Sequence, residues 1–286
     1  MNPAKFLMPQ NGHDDHNDQR ILLILLTLIA SLTLLCLLAL ITLVVLALIP
    51  NAAPPAEPLD TDLQDTTAHL TVSLTPDDVM LEQTEDAGLE YIGSMIFFGE
   101  STTAHLSSRP GLPIEASQVW KDSSGTKRLS SRITSEKILC GGAEMTIAEA
   151  CAQEKPDFVV LSFGLNGIMD FISNKNSYTN NYSKLINAIQ QASPETKIIL
   201  QTVYPVAKAS AFSVDLETLN NHIMTLNEWL PEIAAAHENV RVVDTASALR
   251  SVDGTLISAY DNGDGIHLSA DAYHAILDYL RTHAWQ

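Results

Sequence analysis

The chain is short of basic residues, and this shortage argues against several kinds of partner. Its 286 residues include 16 Lys and Arg against 34 Asp and Glu, which gives a formal net charge of −18 at pH 7. Nucleic acids and anionic lipid surfaces are recognised by clustered Lys and Arg side chains. We therefore expect no nucleic-acid partner, and we interpret the acidic excess as an ordinary solvated surface.

Cysteine is also scarce, which excludes a disulfide framework. Of the three cysteines, Cys36 lies in a long apolar run, so only Cys140 and Cys151 remain for the rest of the chain. No Cys-x-x-Cys pair of the zinc-binding kind occurs. We expect two separate thiols or at most one disulfide between them, with no metal and no organic cofactor.

One apolar run stands out against this composition. Residues 21–49 contain no charged residue, glycine or proline over 29 positions. A membrane-spanning helix needs about 20 apolar residues, so this run predicts one transmembrane helix. The apolar region of a cleaved signal peptide usually reaches only about 15 residues. We therefore favour an uncleaved signal anchor over a cleaved signal peptide.

The basic residues near this run predict its orientation. Lys5 and Arg20 precede the run, whereas residues 51–120 contain one basic residue, Arg109. By the positive-inside rule, residues 1–20 are expected in the cytoplasm and the remainder outside it. The chain is thus predicted as a single-pass protein of the cell membrane. Residues 50–75, rich in Pro, Ala, Asp and Thr, are expected to be an extracytoplasmic linker.

The remaining residues, 76–286, are predicted to form one α/β domain. Thr75-Pro76-Asp77-Asp78 has the pattern of a helix start. Short apolar runs rich in β-branched residues alternate with helical stretches, which indicates a parallel sheet covered on both faces. The predicted strands are residues 95–98, 118–120, 158–163, 197–204 and 240–243. The predicted helices are residues 146–153, 181–192, 216–237 and 270–283.

Three polar residues lie where such a sheet would bring them together. Ser101 follows the first predicted strand, and Asp264 and His267 lie three apart in a late loop. In parallel sheets, ligands bind beyond the carboxyl ends of the strands. A serine hydroxyl needs a base to remove its proton, and that base needs an orienting partner. The order Ser, Asp, His supplies a nucleophile, an orienting carboxylate and a base.

Further residues could stabilise the oxyanion that such chemistry develops. Asn166, in Gly164-Leu165-Asn166-Gly167, follows the third predicted strand and offers a side-chain amide. The backbone N–H of Ser101 is a second donor. Taken alone, Asn166-Gly167 is more typical of a turn than of an active site. Both interpretations remain open from the residues.

Gly99-Glu100-Ser101, Gly164-x-Asn166 and Asp264-x-x-His267, in this order, resemble the SGNH (GDSL-type) hydrolase family over about residues 92–283. The resemblance implies a three-layer α/β/α sandwich with a five-stranded parallel sheet, preceded here by the transmembrane helix. It further implies that Ser101 is the nucleophile, His267 the base, Asp264 its partner and Asn166 an oxyanion donor.

The chain departs from the family pattern at two places. Glu100 stands where the family usually has aspartate, and a longer carboxylate could alter the turn that holds Ser101. The oxyanion glycine is ambiguous: Gly125, after the second predicted strand, is preferred, and Gly142 is the alternative.

Three aromatic or imidazole side chains near these motifs are expected to have structural roles. His105, one helical turn after Ser101, is expected to be a helix surface residue. Trp120 and Tyr260 could stack on a sugar ring, but packing at the edge of the core is the more common role for such aromatic residues.

The resulting functional expectation is a membrane-anchored, extracytoplasmic serine esterase. Its substrates would be acyl esters, with O-acetyl groups on cell-wall or secreted carbohydrate favoured by the expected location and the resemblance. Acyl transfer to a sugar and hydrolysis of lipid esters are alternatives at the same site. A different class, a catalytically silent binding module of the same fold, is the remaining alternative.

Overall fold

The structure is a computed structural model that describes residues 74–286, and its centre is a sheet of five parallel strands. The strands in chain order are β1 (Met95–Gly99), β2 (Val119–Trp120), β3 (Ile138–Cys140), β4 (Ala143–Met145), β5 (Phe158–Ser162), β6 (Lys197–Gln201) and β7 (Val240–Val243). The sheet has the order β2-β1-β5-β6-β7, and β3 and β4 form a separate antiparallel hairpin. The predicted parallel sheet is confirmed.

Seven α-helices surround the sheet within the described range. They are α1 (Gly88–Gly93), α2 (Ser101–Ala104), α3 (Ile147–Glu154), α4 (Ile168–Ser173), α5 (Lys175–Ala192), α6 (Leu216–Ala235) and α7 (Ala270–Thr282). Buried side chains of α3, α5 and α6 pack on one face of the sheet, and those of α1 and α7 pack on the other. The layers are therefore α/β/α, as the resemblance implied.

The strands are apolar on both faces because both faces are covered. Along β5, Val159 and Leu161 belong to the core on one side, whereas Phe158 and Val160 belong to the core on the other. Every residue of β5 is buried. A continuous apolar run without alternation is typical of a strand in this environment.

The strand order places a crevice next to β1. From β1 the chain first adds β2 on one side, then crosses to add β5, β6 and β7 on the other. This reversal is the topological switch point of an open α/β sheet, where ligands bind beyond the carboxyl ends of the strands. Ser101 follows β1 directly, and the loop with Asn166 follows β5. The two segments therefore meet at this crevice.

The expected helix start at Thr75 is wrong. Residues 76–79 form a turn in which Thr75 donates its hydroxyl to the Asp78 carboxylate. Met80 then pairs in parallel with Val242 of β7, so the chain enters the domain along the edge of the sheet. The acidic residues that suggested a first helical turn instead stabilise a turn, a common alternative for such residues.

Two element boundaries differ from prediction by three residues or more. Helix α5 begins at Lys175, earlier than the predicted position 181, because the Asn174 side chain caps it by accepting from the Ser177 N–H. Strand β6 ends at Gln201, earlier than the predicted position 204. After it, the Val203 N–H turns away from the sheet and donates to the Asn227 side chain.

The predicted transmembrane helix, residues 21–49, lies outside the described residues, as do the N-terminal tail and most of the linker. Between residues 74 and 286, no helix combines the length and apolar character needed to cross a bilayer.

Candidate active site

The turn that presents Ser101 depends on the glycine before it. A Cβ atom on Gly99 would lie 2.3 Å from Thr103 Oγ1 and 2.4 Å from the Ser162 carbonyl oxygen, so no side chain fits there. Glu100 is the N-cap residue of α2, and Ser101 is its first helical residue. Tyr273 of α7 donates its hydroxyl to the Thr102 carbonyl at 2.6 Å, which fixes the same turn from the opposite layer.

The loop with Asp264 and His267 is organised by the Asp264 carboxylate. Asp264 Oδ1 accepts the backbone N–H groups of Ile266 and His267, both at 2.8 Å. Its other oxygen, Oδ2, lies 2.7 Å from His267 Nδ1. Backbone hydrogen bonds from Ala207 and Lys208 to the Gly265 carbonyl hold the loop on the neighbouring segment. The spacing of three residues therefore lets one carboxylate fix both the backbone and the ring of His267.

Ser101, His267 and Asp264 form a continuous hydrogen-bonded chain. Ser101 Oγ lies 3.0 Å from His267 Nε2, although the residues are 166 positions apart. Partial burial raises the pKa of Asp264, but hydrogen bonds from His267 and Ile266 outweigh it and hold that pKa at about 2. The ionised carboxylate accepts a hydrogen bond from the Nδ1–H group, which leaves Nε2 to accept the Ser101 hydroxyl proton. This arrangement can activate a serine hydroxyl.

Glu100 connects the Ser101 turn to the loop after β5. Its side chain is 5% exposed, and its carboxylate accepts the N–H of Gly164 at 2.9 Å and the N–H of Asn166 at 3.0 Å. The residue that departs from the family pattern thus holds two functional segments together. Burial raises the pKa of Glu100 to about 7, against the opposing effect of these backbone hydrogen bonds.

This raised pKa predicts a pH-dependent stability. Between the ordinary glutamate pKa of 4.5 and about 7, folded Glu100 binds more protons than unfolded Glu100. The free energy of unfolding therefore falls as pH rises through this window. Relative to Glu100→Gln, the wild-type chain should lose about 3 kcal/mol of stability between pH 4 and pH 8, measured by urea unfolding. Exposed Glu144→Gln should show no such change, and a pH-independent difference for Glu100→Gln would contradict the prediction.

The side chain of Asn166 faces a second loop. Asn166 Nδ2 donates to the Lys127 carbonyl at 3.2 Å, in the segment that follows β2. An amide nitrogen carries two hydrogens, so one remains for a ligand. The backbone N–H of Ser101 makes no hydrogen bond to any described residue. These two donors fit the predicted oxyanion role.

Replacing Asn166 by alanine tests that role. If the second amide hydrogen stabilises the oxyanion, kcat should fall about 10²–10³-fold with little change in KM. If the side chain only holds the Lys127 segment, the variant should lose thermal stability and keep its kcat. Steady-state kinetics on 4-nitrophenyl acetate together with a melting curve distinguishes the two results.

Neither glycine proposed for the oxyanion hole has its backbone N–H placed to donate to an oxyanion. The N–H of Gly125 donates to Asp122 Oδ1 at 2.7 Å, inside its own turn. Gly142 lies in the exposed turn of the β3–β4 hairpin. The position of Gly125 after β2 favours it in the sequence, but no sequence signal shows that Asp122 accepts its N–H.

His105 is not the helix surface residue that the sequence predicts. It is partly buried, and its ring centroid lies 4.7 Å from that of His267. Its Nδ1 atom is buried without a hydrogen-bond partner among the described residues. Burial, followed by the nearby His267 and Arg109, lowers the pKa of His105. Its position four residues after Ser101 was the available signal, since residues i and i+4 share a helix face.

The other residues that the sequence singles out, two cysteines and two aromatic residues, have structural environments. Cys140 and Cys151 are both free and buried, which agrees with two separate thiols, and burial raises the pKa of Cys151 to about 12. Trp120 is 2% exposed and belongs to the core, whereas Tyr260 is partly buried. No group of three or more His, Cys, Asp or Glu side chains within residues 74–286 is arranged to hold a metal ion.

Comparison with known proteins identifies similar sequences and structures. Residues 97–275 match the model of the GDSL-like Lipase/Acylhydrolase family. A protein structure from Streptococcus pneumonia is 20% identical, with 72% of this chain and 94% of that chain covered and a TM-score of 0.47. A family 3 carbohydrate esterase from Talaromyces cellulolyticus is 14% identical, with 65% and 93% covered and a TM-score of 0.45. A GDSL-like lipase from Bacteroides thetaiotaomicron is 16% identical, with 65% and 84% covered and a TM-score of 0.44. No curated protein sequence matches the chain.

Proposed function

Because the chain belongs to the GDSL-like lipase/acylhydrolase family, a family of hydrolases, we propose that it hydrolyses acyl esters through an acyl-enzyme on Ser101. The observation that carries this proposal is the hydrogen-bonded chain from Ser101 through His267 to Asp264. Ser101 Oγ attacks the ester carbonyl carbon while His267 Nε2 takes the hydroxyl proton. The same proton then passes to the departing alcohol oxygen.

Deacylation repeats these steps with water as the nucleophile. His267 takes a proton from the water molecule, the hydroxide oxygen attacks the acyl carbon, and Ser101 leaves with the proton returned by His267. In both steps the carbonyl oxygen gains negative charge. The Ser101 N–H and the free hydrogen of Asn166 Nδ2 are the proposed donors to it.

Acetyl is the acyl group that we propose. A cavity of about 10 Å³ is lined by Thr102 and Ile266, which adjoin Ser101 and His267 in the chain, and by Gly164 from the loop after β5. Such a volume holds about one water-sized group, which is comparable to a methyl group. Longer acyl chains would require this packed region to open. The proposed substrates are O-acetyl esters of carbohydrate.

We retain the membrane anchor as part of the proposal. The 29 uncharged residues 21–49 and the basic residues on their N-terminal side support a single span with the domain outside the cytoplasm. Deletion of residues 1–50 should move the protein from the membrane fraction to the soluble fraction. An equal distribution of both forms would contradict anchoring by this segment.

A fluorophosphonate probe tests the nucleophile directly. The full-length chain, treated with the probe and digested, should carry the adduct on Ser101 when analysed by mass spectrometry. His267→Ala should prevent labelling, whereas exposed His274→Ala should not. Turnover of 4-nitrophenyl acetate should exceed that of 4-nitrophenyl butyrate if the small cavity limits acyl length. A folded chain that neither labels nor hydrolyses these esters would support the silent binding module instead.

A further inference from the structure

A second, larger cavity lies beside the candidate active site and has no part in the proposed chemistry. Its volume is about 530 Å³, and it lies between the segment after β2 and helices α4 and α5. Its lining includes Lys127, Arg132 and Glu136 from the segment, and Ser177 and Asn181 from α5. The volume is within the range of pockets that bind small molecules. We call this space the Asn181 cavity.

Asn181 is the side chain that marks the cavity as a binding site. The residue is 7% exposed, and its side-chain amide forms no hydrogen bond with any described residue. The amide atoms of this side chain are accessible from the cavity and are therefore free to bind a ligand there. Asparagine is also a weak helix former in mid-helix, so its place in α5 is not explained by helix propensity. A ligand that both donates and accepts hydrogen bonds would satisfy this amide.

Most of the charges around the cavity are paired, whereas exposed Arg132 makes no salt bridge with a described residue. Lys127, whose side chain is 5% exposed, lies 3.0 Å from the Glu136 carboxylate and 3.6 Å from that of Asp122. Arg128 pairs with Asp170 at the same cavity. A fatty acyl chain would bury these charged groups against hydrocarbon, which is unfavourable. Because cations and carboxylates are present together, the lining fits a neutral ligand that carries several hydroxyl groups.

The wall of the cavity is continuous with the active-site loops. The Lys127 carbonyl accepts the Asn166 side-chain amide at 3.2 Å. A Cβ atom on Gly167, the next residue, would lie 2.6 Å from the Arg128 guanidinium, so the Arg128 side chain packs closely against this glycine. On the other side, a Cβ on Gly125 would lie 3.4 Å from Ala104 Cβ in the helix that begins at Ser101. The segment that lines the cavity therefore touches both Asn166 and the Ser101 helix.

We propose that the Asn181 cavity binds a sugar unit in the alcohol part of the ester, with Asn181 and Ser177 as hydrogen-bonding residues. This inference rests on the proposed esterase function for its role, but binding of the sugar can be measured without turnover. Asn181 and Ser177 are four residues apart on α5, so they lie on one helix face. The same chemistry, hydroxyl groups on a neutral ring, is common to many saccharides.

Binding of unacetylated saccharides to the full-length chain tests the cavity. Calorimetric titration with xylotetraose, cellotetraose and mannotetraose should detect binding of at least one of them. Asn181→Ala should weaken that binding about tenfold, and Ser177→Ala should weaken it in the same direction. Exposed Asn180→Ala, next to Asn181 on the same helix, is the matched control and should bind as the wild type does.

A kinetic comparison separates this inference from the proposed function. Asn181→Ala should raise KM about tenfold for the O-acetylated form of the saccharide that binds, whereas exposed Asn180→Ala should leave this KM unchanged. The second ester is 4-nitrophenyl acetate, which carries no saccharide. Saccharide binding that depends on Asn181 without turnover of either ester would support the cavity and refute the esterase. Turnover of 4-nitrophenyl acetate without binding of any saccharide would refute the cavity and leave the esterase. Binding of inorganic phosphate that requires Arg132 but not Asn181, with no saccharide bound, would assign the cavity to anions and overturn the inference.

Discussion

His267→Ala is expected to lower kcat/KM for 4-nitrophenyl acetate by about 10⁴–10⁶-fold without unfolding the domain. The ring is the group within hydrogen-bond distance of Ser101 Oγ, at 3.0 Å, so its loss leaves the hydroxyl without a base. His105, the other histidine nearby, contacts the His267 ring rather than the serine hydroxyl. It should therefore not replace the missing base.

The double variant provides a stricter test of this prediction. If Ser101 and His267 act as a unit, Ser101→Ala and the pair Ser101→Ala with His267→Ala should have equal residual rates. His274→Ala, exposed on α7, should keep wild-type kinetics and serves as the control. Activity within tenfold of wild type in His267→Ala would mean that another group is the base.

Asp264→Asn is expected to reduce kcat by about 10⁴-fold. Asp264 Oδ1 already accepts two backbone N–H groups, so the oxygen of an asparagine would stay there and its nitrogen would face His267 Nδ1. A facing donor makes Nδ1 an acceptor and moves the ring proton to Nε2. In that tautomer His267 cannot accept the Ser101 proton.

The control for this second prediction is Asp271→Asn, an exposed carboxylate in the first turn of α7. It should retain wild-type kcat and stability. The tautomer of His267 in Asp264→Asn, measured by nitrogen NMR, provides an independent readout, with the proton expected on Nε2. A fall in kcat below tenfold, or a proton retained on Nδ1, would refute the orienting role of Asp264.

The central sheet was predictable because each strand can be recognised from the apolar character of its own residues. Residues 158–161, for example, are apolar at every position, which is typical of a strand covered on both faces. The rule that the carboxyl ends of parallel strands share one edge indicated a common site for Ser101 and Asn166. The contact between Ser101 and His267 came only from the structure, because the Asp264 loop does not directly follow a strand.

The features that sequence reasoning missed depend on partners distant in the chain. Glu100 was noted only as a departure, yet its carboxylate binds backbone groups 64 and 66 positions away. The Gly125 N–H was assigned to an oxyanion, but the Asp122 carboxylate accepts it. Nothing in the sequence distinguishes Asn181 from any other asparagine in a predicted helix. The hydrogen-bond partners of backbone donors and buried amides depend on three-dimensional packing, which cannot be read from a single sequence.

The hydrogen bond from Tyr273 to Thr102 has a consequence for biosynthesis. Helix α7 follows His267 directly and also fixes the turn that holds Ser101. During translation, 166 residues must be added after the serine before its histidine exists. Contacts of such long range form late in folding. In a nascent chain, the proposed nucleophile and its proposed base therefore remain apart until the segment with α7 has been synthesised and docked.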